Sequence, residues 1–178
     1  AELSRHAHPP AGGSDSATIL HAYAVHGDAF VHHLRGMYAF ALYDHGRRRL
    51  LLVRDRLGIK PLFYVRLPDR IAFASEMKAL LPLLPAAPTV HAPALRQFLL
   101  HQFSTGEETI FTGIRRVLPG EVLGIDADLS IERRRYWLNG ASQPPTTAGG
   151  LTPFTTADEV ELRMYHGQTY PWIFSRFE

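Results

Sequence analysis

The stretch from Gly36 to Ser75 constrains the fold of this chain more than any other. It contains four short runs rich in apolar and aromatic residues, at positions 36–44, 49–55, 57–64 and 71–75, with turn residues between them. Short apolar runs at this spacing predict consecutive antiparallel strands. In the first run both alternating sets of side chains are largely apolar. A strand that is apolar on both faces is covered on both faces, so we expect this sheet to lie inside a layered domain.

The composition is that of a globular protein, and it excludes several kinds of site. Hydrophobic residues make up 46% and charged residues 20% of the 178 residues, which is enough for a real core. The formal net charge is only +2. Because the sequence has no Cys, it offers no disulfide, no thiolate metal site and no cysteine nucleophile. No apolar run reaches the length of a membrane span and no signal-peptide pattern opens the sequence, so we predict a cytoplasmic protein.

Helices are predicted on both sides of the strands. The first begins at Ser14 or Asp15, either of which can cap it, and Gly27 ends it. Its apolar stripe is Ile19, Leu20, Tyr23 and Ala24. Asp28 is predicted to cap a second short helix that turns its apolar side chains, Phe30, Val31 and Leu34, toward the core.

Further elements follow the strands. A helix near Met77 is predicted to stop at Pro82, and another to begin at Pro93 with an apolar stripe of Leu95, Phe98 and Leu99. The segments 121–126 and 130–137 are predicted to form a closing hairpin.

The last 40 residues have a different character. Residues 139–153 are rich in Pro, Gly, Thr and Ser, which is typical of a linker. Thr156 and Glu159 have the spacing of a capping box, so a short helix is predicted through Met164. Beyond it the apolar pattern is interrupted by Gly167 and Pro171. We expect this tail to be poorly ordered and to make few contacts with residues 14–138.

Six segments resemble the glutamine amidotransferase domain of asparagine synthetases. They lie at residues 13–23, 34–44, 54–64, 73–81, 109–121 and 135–137. Several motifs in the same order and register make the resemblance specific, whereas any one alone would be weak. It divides the chain into a loop remnant (1–13), a partial glutamine amidotransferase type 2 domain (14–138), and a linker with a divergent tail toward a synthetase domain (139–178).

The resemblance implies a class II amidotransferase of the N-terminal-nucleophile type. The fold would be α+β, a four-layer αββα sandwich that is incomplete at the N-terminus. In that family an N-terminal cysteine attacks the carboxamide of glutamine, and its own α-amino group acts as the base. The ammonia travels to a synthetase domain, where ATP and Mg activate aspartate as an acyl-adenylate. The parent protein would thus make asparagine from aspartate, glutamine and ATP, with this part belonging to its glutaminase domain.

The sequence departs from the family pattern in two ways. It has no Cys, so the segment with the nucleophile and the first glutamine-binding residues is not among the 178 residues. The phosphate-binding motif of the synthetase domain is absent too. We therefore expect an internal fragment that does not hydrolyse glutamine as it stands. It would have no catalytic residue, no metal site and no cofactor of its own.

One binding residue is carried over from the resemblance. Asp15 matches the family aspartate that binds the α-ammonium group of glutamine, a pairing made by charge-assisted hydrogen bonds. The alternative is that Asp15 only complements the positive end of a helix. Ala17 stands where the family has Glu, so a capping-box contact back to Ser14 is lost. We favour the ligand role.

Other candidates have simpler structural interpretations. Asp55, Gly58 and Lys60 form a tight loop in which Gly58 is predicted to supply a positive φ and Asp55 to bind backbone amides. A phosphate contact by Lys60 is the less favoured alternative. The arginine runs at 47–49 and 133–135 fit charged turns better than a nucleic-acid surface.

The histidine pairs give no strong indication of a metal site. His32 and His33 fit the end of a helix at the surface. His6 and His8 lack a third ligand for a metal ion.

Two hypotheses from different classes follow. In the first, the chain is part of an enzyme whose partners are glutamine, a covalently linked synthetase domain and a second copy in a homodimer, without nucleic acid or membrane. In the second, it is a nucleophile-less docking or scaffolding module without catalysis. Whether the parent amidates free aspartate or another carboxylate depends on the synthetase domain, so both acceptors stay open.

Overall fold

The computed structural model describes residues 14–138, 160–164 and 172–175. They form helices and antiparallel sheets, which confirms the α+β class. The helical elements are α1 (Asp15–His26), a 3-10 helix (Gly27–His32), α2 (Met77–Leu80), a second 3-10 helix (Leu81–Leu83) and α3 (Ala92–His101). The strands are β1 (Ala39–Asp44), β2 (Arg49–Arg54), β3 (Phe63–Arg66), β4 (Arg70–Ala74), β5 (Ile114–Arg116), β6 (Glu121–Ile125), β7 (Ile131–Arg135), β8 (Val160–Met164) and β9 (Trp172–Ser175).

Two sheets share these strands. The first has the order β7-β6-β2-β1-β8 and the second β5-β3-β4-β9, and neighbouring strands are antiparallel throughout. The four strands predicted between Gly36 and Ser75 are β1 to β4. They form two local hairpins, one in each sheet, with Ala39 opposite Arg54 in the first. The predicted closing hairpin is β6 and β7.

The first sheet is covered on both faces, as its sequence predicts. Phe40 and Leu42 of β1 belong to an apolar cluster with Tyr23 of α1. Their neighbours Ala39 and Ala41 point the other way, because side chains alternate along a strand. These alanines belong to a second cluster that includes apolar residues of the second sheet, among them Tyr64, Ile71 and Phe73. The two sheets therefore pack against each other, with α1 on the outer face of the first.

A third cluster lies on the other side of the second sheet. It joins Val65 and Ala72 of that sheet to Leu80 of α2. Leu80 is completely buried, as are Ala72 and Ile114 in the same cluster. The helix α2 is short because Pro82 follows it, and the chain continues as a 3-10 turn that contains this proline. The helix therefore covers the outer face of the second sheet.

Three expectations about helices are wrong in detail. Asp28 lies inside the first 3-10 helix and makes no cap; its carboxylate accepts a hydrogen bond from Arg47 instead. Ala24 is exposed, and Ala22 takes its place in the core. In α3 the predicted apolar stripe is not buried, since Ala94 is the buried residue of that helix. The side chain of Leu99 is 72% exposed.

The tail contradicts the sequence-based expectation where the structure describes it. Residues 160–164, predicted as the end of a helix, form β8, which pairs with β1. Residues 172–175 form β9, which pairs with β4. The expectation of few contacts with residues 14–138 is therefore wrong for these two segments. The predicted loop at 1–13, the linker at 139–153 and the cap at Thr156 lie outside the described residues. No helix in the part of the chain that the structure describes is long and apolar enough to cross a bilayer.

Candidate functional site

The beginning of α1 separates the roles of two polar residues. Ser14 has an extended backbone, and its Oγ accepts a hydrogen bond from the Ala17 N–H at 3.2 Å, so Ser14 is the N-cap. Asp15 is the first helical residue and is exposed. Its carboxylate makes no hydrogen bond or ion pair with another described residue. A negative charge is thus available to a ligand at the positive end of the helix.

The carboxylate of Asp55 has the opposite surroundings. It lies just after β2, is only 1% exposed, and accepts three backbone N–H groups. Leu57 and Ile59 donate to its Oδ1, and Lys60 donates to its Oδ2, each at 3.0 Å. This confirms the prediction that Asp55 binds backbone amides. All three hydrogen bonds of this carboxylate are made to residues of its own loop, so they stabilise the loop.

Arg54 fixes the same loop from the other side. Its guanidinium donates to the carbonyl oxygens of Gly58 (2.6 Å), Lys60 (2.8 Å) and Val117 (2.7 Å). Gly58 has φ +66°, and a Cβ there would lie 2.7 Å from Cγ of Pro119. The residue therefore has to be glycine for two reasons, a positive φ and a close approach. Because Lys60 serves the loop through its backbone, the structural interpretation is favoured over a phosphate contact.

Two buried tyrosines connect this loop to the closing hairpin. The Tyr136 hydroxyl donates to the Arg54 carbonyl at 2.6 Å, and the Tyr38 hydroxyl lies 2.9 Å from the Tyr136 hydroxyl. Burial raises the pKa of both phenols, so both stay protonated donors. The Asp55 N–H donates to the Tyr38 carbonyl, and the Gly120 N–H donates to the Asp55 carbonyl. Four of the sequence motifs meet at this network.

Three residues of the arginine runs, Arg47, Arg49 and Arg133, pair with carboxylates. Arg47 bonds Asp28 at 3.2 Å, and Arg49 contacts Asp126 and Glu132. In the second run, Arg133 contacts Glu107 and Glu121. This agrees with charged turns and strand ends rather than a nucleic-acid surface.

His32 and His33 lie at the end of the first 3-10 helix. His33 is exposed and its ring stacks on that of His26 at 3.7 Å between centroids. No group of three or more possible metal ligands occurs among residues 14–138, 160–164 and 172–175. His6 and His8 lie outside these ranges.

Comparison with known proteins identifies the family. A family described as the glutamine amidotransferase domain matches residues 1–137 of the chain. The chain belongs to this family. Asparagine synthetase [glutamine-hydrolyzing] 3 of Bacillus subtilis is 36% identical over 141 residues, which cover 76% of this chain and 22% of that protein. A putative asparagine synthetase [glutamine-hydrolyzing] of Mycobacterium tuberculosis is 36% identical over 137 residues, covering 75% and 21%. Amidase chyE of Penicillium rubens is 34% identical over 126 residues, covering 71% and 18%. The chain spans about a fifth of the length of these relatives.

Family membership confirms the resemblance drawn from the six sequence segments. In this amidotransferase domain the structure brings the motifs at 34–44, 54–64 and 109–121 together around Asp55. It does not bring Asp15 into that network. The candidate ligand residue and the structural loop are therefore separate features of the domain.

Sequence reasoning missed two polar clusters of the amidotransferase domain. In the first, the Tyr23 hydroxyl of α1 donates to the Asp44 carboxylate at 2.9 Å, which joins α1 to the end of β1. The second surrounds a cavity of about 400 Å³ lined by Tyr64, Arg66, Gly113, Arg115, Ile131 and Arg133. Two of its arginines, Arg115 and Arg133, share Glu107 as an ion-pair partner. The consecutive charged residues in β5 and β7 were the available signal, but they do not show which strands become neighbours.

Proposed function

We propose that this chain is the glutaminase part of a glutamine-hydrolysing asparagine synthetase. Membership of the glutamine amidotransferase family and the relatives named as synthetases in Bacillus subtilis and Mycobacterium tuberculosis support the proposal. Glutamine is the substrate of this part. A covalently linked synthetase domain, using ATP and Mg, transfers the ammonia to aspartate. The protein acts in the cytoplasm, where ATP is available.

Asp15 is the residue of the described chain that binds glutamine in this proposal. The observation that carries the assignment is its exposed carboxylate, which has no hydrogen-bond or ion-pair partner among residues 14–138, 160–164 and 172–175, beside a cap made by the Ser14 side chain. A carboxylate held at a helix start pairs with the α-ammonium group through charge-assisted hydrogen bonds. Such a contact selects an α-amino acid over a simple amide, because the amide has no cation to offer.

We also propose that the helices and sheets of this chain form four layers. Two antiparallel sheets share one apolar cluster, and helices lie on their outer faces. This packing supports the four-layer sandwich of the N-terminal-nucleophile hydrolases. In such an enzyme the thiol attacks the carboxamide carbon, ammonia leaves, and water releases glutamate from the thioester. The 178 residues hold no thiol, so the cysteine has to come from sequence outside them.

The proposal is tested by measuring glutamate release from glutamine. We expect no release by the 178-residue chain and steady release by the complete protein that contains it. In the complete protein, Asp15→Asn should raise the KM for glutamine, because the amide carries no charge. Asp69→Asn is the matched control, since Asp69 is an exposed aspartate that pairs only with neighbouring Arg70 among the described residues. Equal effects of the two substitutions would refute the assignment of Asp15.

The second hypothesis, a docking module without catalysis, has no observation that favours it over the enzyme.

The molecule that accepts the ammonia is a separate question. The chain is also similar to a relative named amidase chyE, a protein that is not named an asparagine synthetase. We propose aspartate as the acceptor because the named synthetases are similar to this chain over a larger share of its residues.

A further inference from the structure

The cavity lined by strands of both sheets has a regular construction. Each of three strand segments contributes two positions that are two residues apart, and such positions lie on one face of a strand. β5 and β7 are edge strands of their sheets, so the cavity lies where both sheets end. We call it the edge cavity. Its pairs of lining residues are Tyr64 and Arg66 in β3, Gly113 and Arg115 at β5, and Ile131 and Arg133 in β7.

Tyr64 connects the three strands at the inner end of the edge cavity. It lies directly opposite Arg115 in the antiparallel pair of β3 and β5, and its hydroxyl accepts a hydrogen bond from Arg133 of the other sheet. The residue is only 2% exposed, and burial raises the pKa of its phenol. The hydroxyl therefore keeps its proton at neutral pH and can donate it to a ligand.

The charges around the edge cavity are arranged unevenly. The six described residues that line it include three arginines and no carboxylate. Glu107 and Glu108 pair with Arg115, while Glu107 and the buried Glu121 pair with Arg133. These three carboxylates hold two of the guanidinium groups from outside the lining. They leave the third arginine of the cavity unpaired.

That third arginine is Arg66. It is exposed, and its side chain has no hydrogen-bond or ion-pair partner among residues 14–138, 160–164 and 172–175. Continuing the register of β3 and β5 by two residues places Gly113 opposite Arg66. No atom of the described residues lies within 4 Å of the position that a Cβ of Gly113 would occupy. A ligand therefore has both an unpaired cation and open space at this end of the cavity.

We propose that the edge cavity binds a small anion with one or more phosphate groups, whose oxygens contact Arg66 and Arg115 and accept a hydrogen bond from the Tyr64 hydroxyl. The planar guanidinium group matches the oxygens of phosphates and carboxylates. A phosphate ester carries a charge of about −1.5 to −2 at pH 7, which suits three converging arginines better than a single carboxylate does. The cavity volume of about 400 Å³ is that of a small-molecule site. This site is separate from Asp15 and does not depend on the proposed function.

The test is isothermal titration calorimetry on the 178-residue chain with inorganic pyrophosphate, adenosine monophosphate and succinate. We expect both phosphate compounds to bind, and succinate to bind at least about tenfold more weakly than the tighter of them. Tighter binding of pyrophosphate would support an inorganic ligand, and tighter binding of adenosine monophosphate an organic phosphate ester. Binding of succinate that equals or exceeds that of the phosphates, or no binding of either phosphate in the millimolar range, would overturn the proposal.

Arg66→Gln is the variant that tests the site. It removes the unpaired cation and should weaken binding of the tighter phosphate compound at least about tenfold. A thermal melt should show an unchanged fold, since no described residue pairs with the Arg66 side chain. Arg35→Gln is the matched control, because Arg35 is also exposed and unpaired among the described residues but does not line the edge cavity. Equal affinities of the two variants would contradict the proposal.

Chemical protection locates the anion without any substitution. Phenylglyoxal modifies accessible arginine side chains, and mass spectrometry identifies which residues have reacted. The tighter phosphate compound should slow the modification of Arg66 and Arg115, which are both exposed, and leave that of Arg35 unchanged. Protection that is equal at all three arginines, or absent at Arg66, would show that the anion does not bind in the edge cavity.

Discussion

Asp55 and Asp15 are aspartates in two segments that match one family, yet their carboxylates have opposite surroundings. Asp55 is buried and accepts three backbone N–H groups at 3.0 Å. Asp15 is exposed, while Ser14 beside it supplies the helix cap. A carboxylate whose acceptor sites are filled by its own chain stabilises that chain. A charge left unused at a fixed position is available for a ligand.

Asp55→Ala should have the largest effect on stability. It removes three charge-assisted hydrogen bonds and leaves the partly buried N–H donors and the Arg54 guanidinium without their nearby anion. We expect a loss of about 3–5 kcal/mol in the free energy of unfolding, measured by urea denaturation. Asp69→Ala is the control, with an expected loss under about 0.5 kcal/mol, because Asp69 makes a surface ion pair. Equal losses would show that the buried loop has no special role.

Gly58→Ala tests whether the loop needs glycine for its φ or for space. The substitution meets a φ of +66° and a contact of 2.7 Å with Pro119. We expect a loss of about 2–3 kcal/mol. Gly106→Ala is the matched control, because Gly106 has φ +80° but no atom within 4 Å of its Cβ position. Its loss should be about 1 kcal/mol, from φ alone. If both variants lose the same amount in thermal or urea unfolding, the contact with Pro119 is unimportant.

Substitutions at the start of α1 should have the smallest effects on stability. They distinguish the role of Ser14 from that of Asp15. Ser14→Ala removes the cap and should cost about 1 kcal/mol. Asp15→Ala removes only a favourable charge near the helix start and should cost under about 0.5 kcal/mol. Urea unfolding of both variants in parallel provides the measurement. A loss for Asp15→Ala that exceeds the loss for Ser14→Ala would mean that Asp15 is a structural residue like Asp55.

Local patterns predicted the features whose partners are close in sequence. The hairpins β1–β2 and β3–β4 have short turns between apolar runs, and Asp55 bonds amides within five residues of itself. Turn chemistry and alternation suffice for such features. The structural role of Asp55 could therefore be predicted from the sequence.

Features that depend on distant segments could not be predicted in the same way. β8 was interpreted as a helix because a capping-box spacing precedes it, but pairing with β1, more than a hundred residues earlier, overrides that local preference. β5 was missed because it is three residues long and contains two arginines. In α3, periodicity identified the apolar side chains but not that Phe98 and Leu99 are exposed. The proposed role of Asp15 comes only from the family motif, since a helix start with Ser and Asp does not tell which of them would bind a ligand.

The role of Asp15 in binding glutamine is tested most directly in the complete protein, which is given glutamine or ammonium chloride as the nitrogen source. With glutamine, Asp15→Ala should raise the KM about 10- to 100-fold, the expected cost of losing one charge-assisted contact to the α-ammonium group. With ammonium chloride, which needs no glutamine site, amide formation should be unchanged. Ser14→Ala, which alters the cap but keeps the carboxylate, should change the KM for glutamine less than Asp15→Ala. An unchanged KM for glutamine in Asp15→Ala, or an equal loss of amide formation with both nitrogen sources, would contradict the proposal that Asp15 binds glutamine.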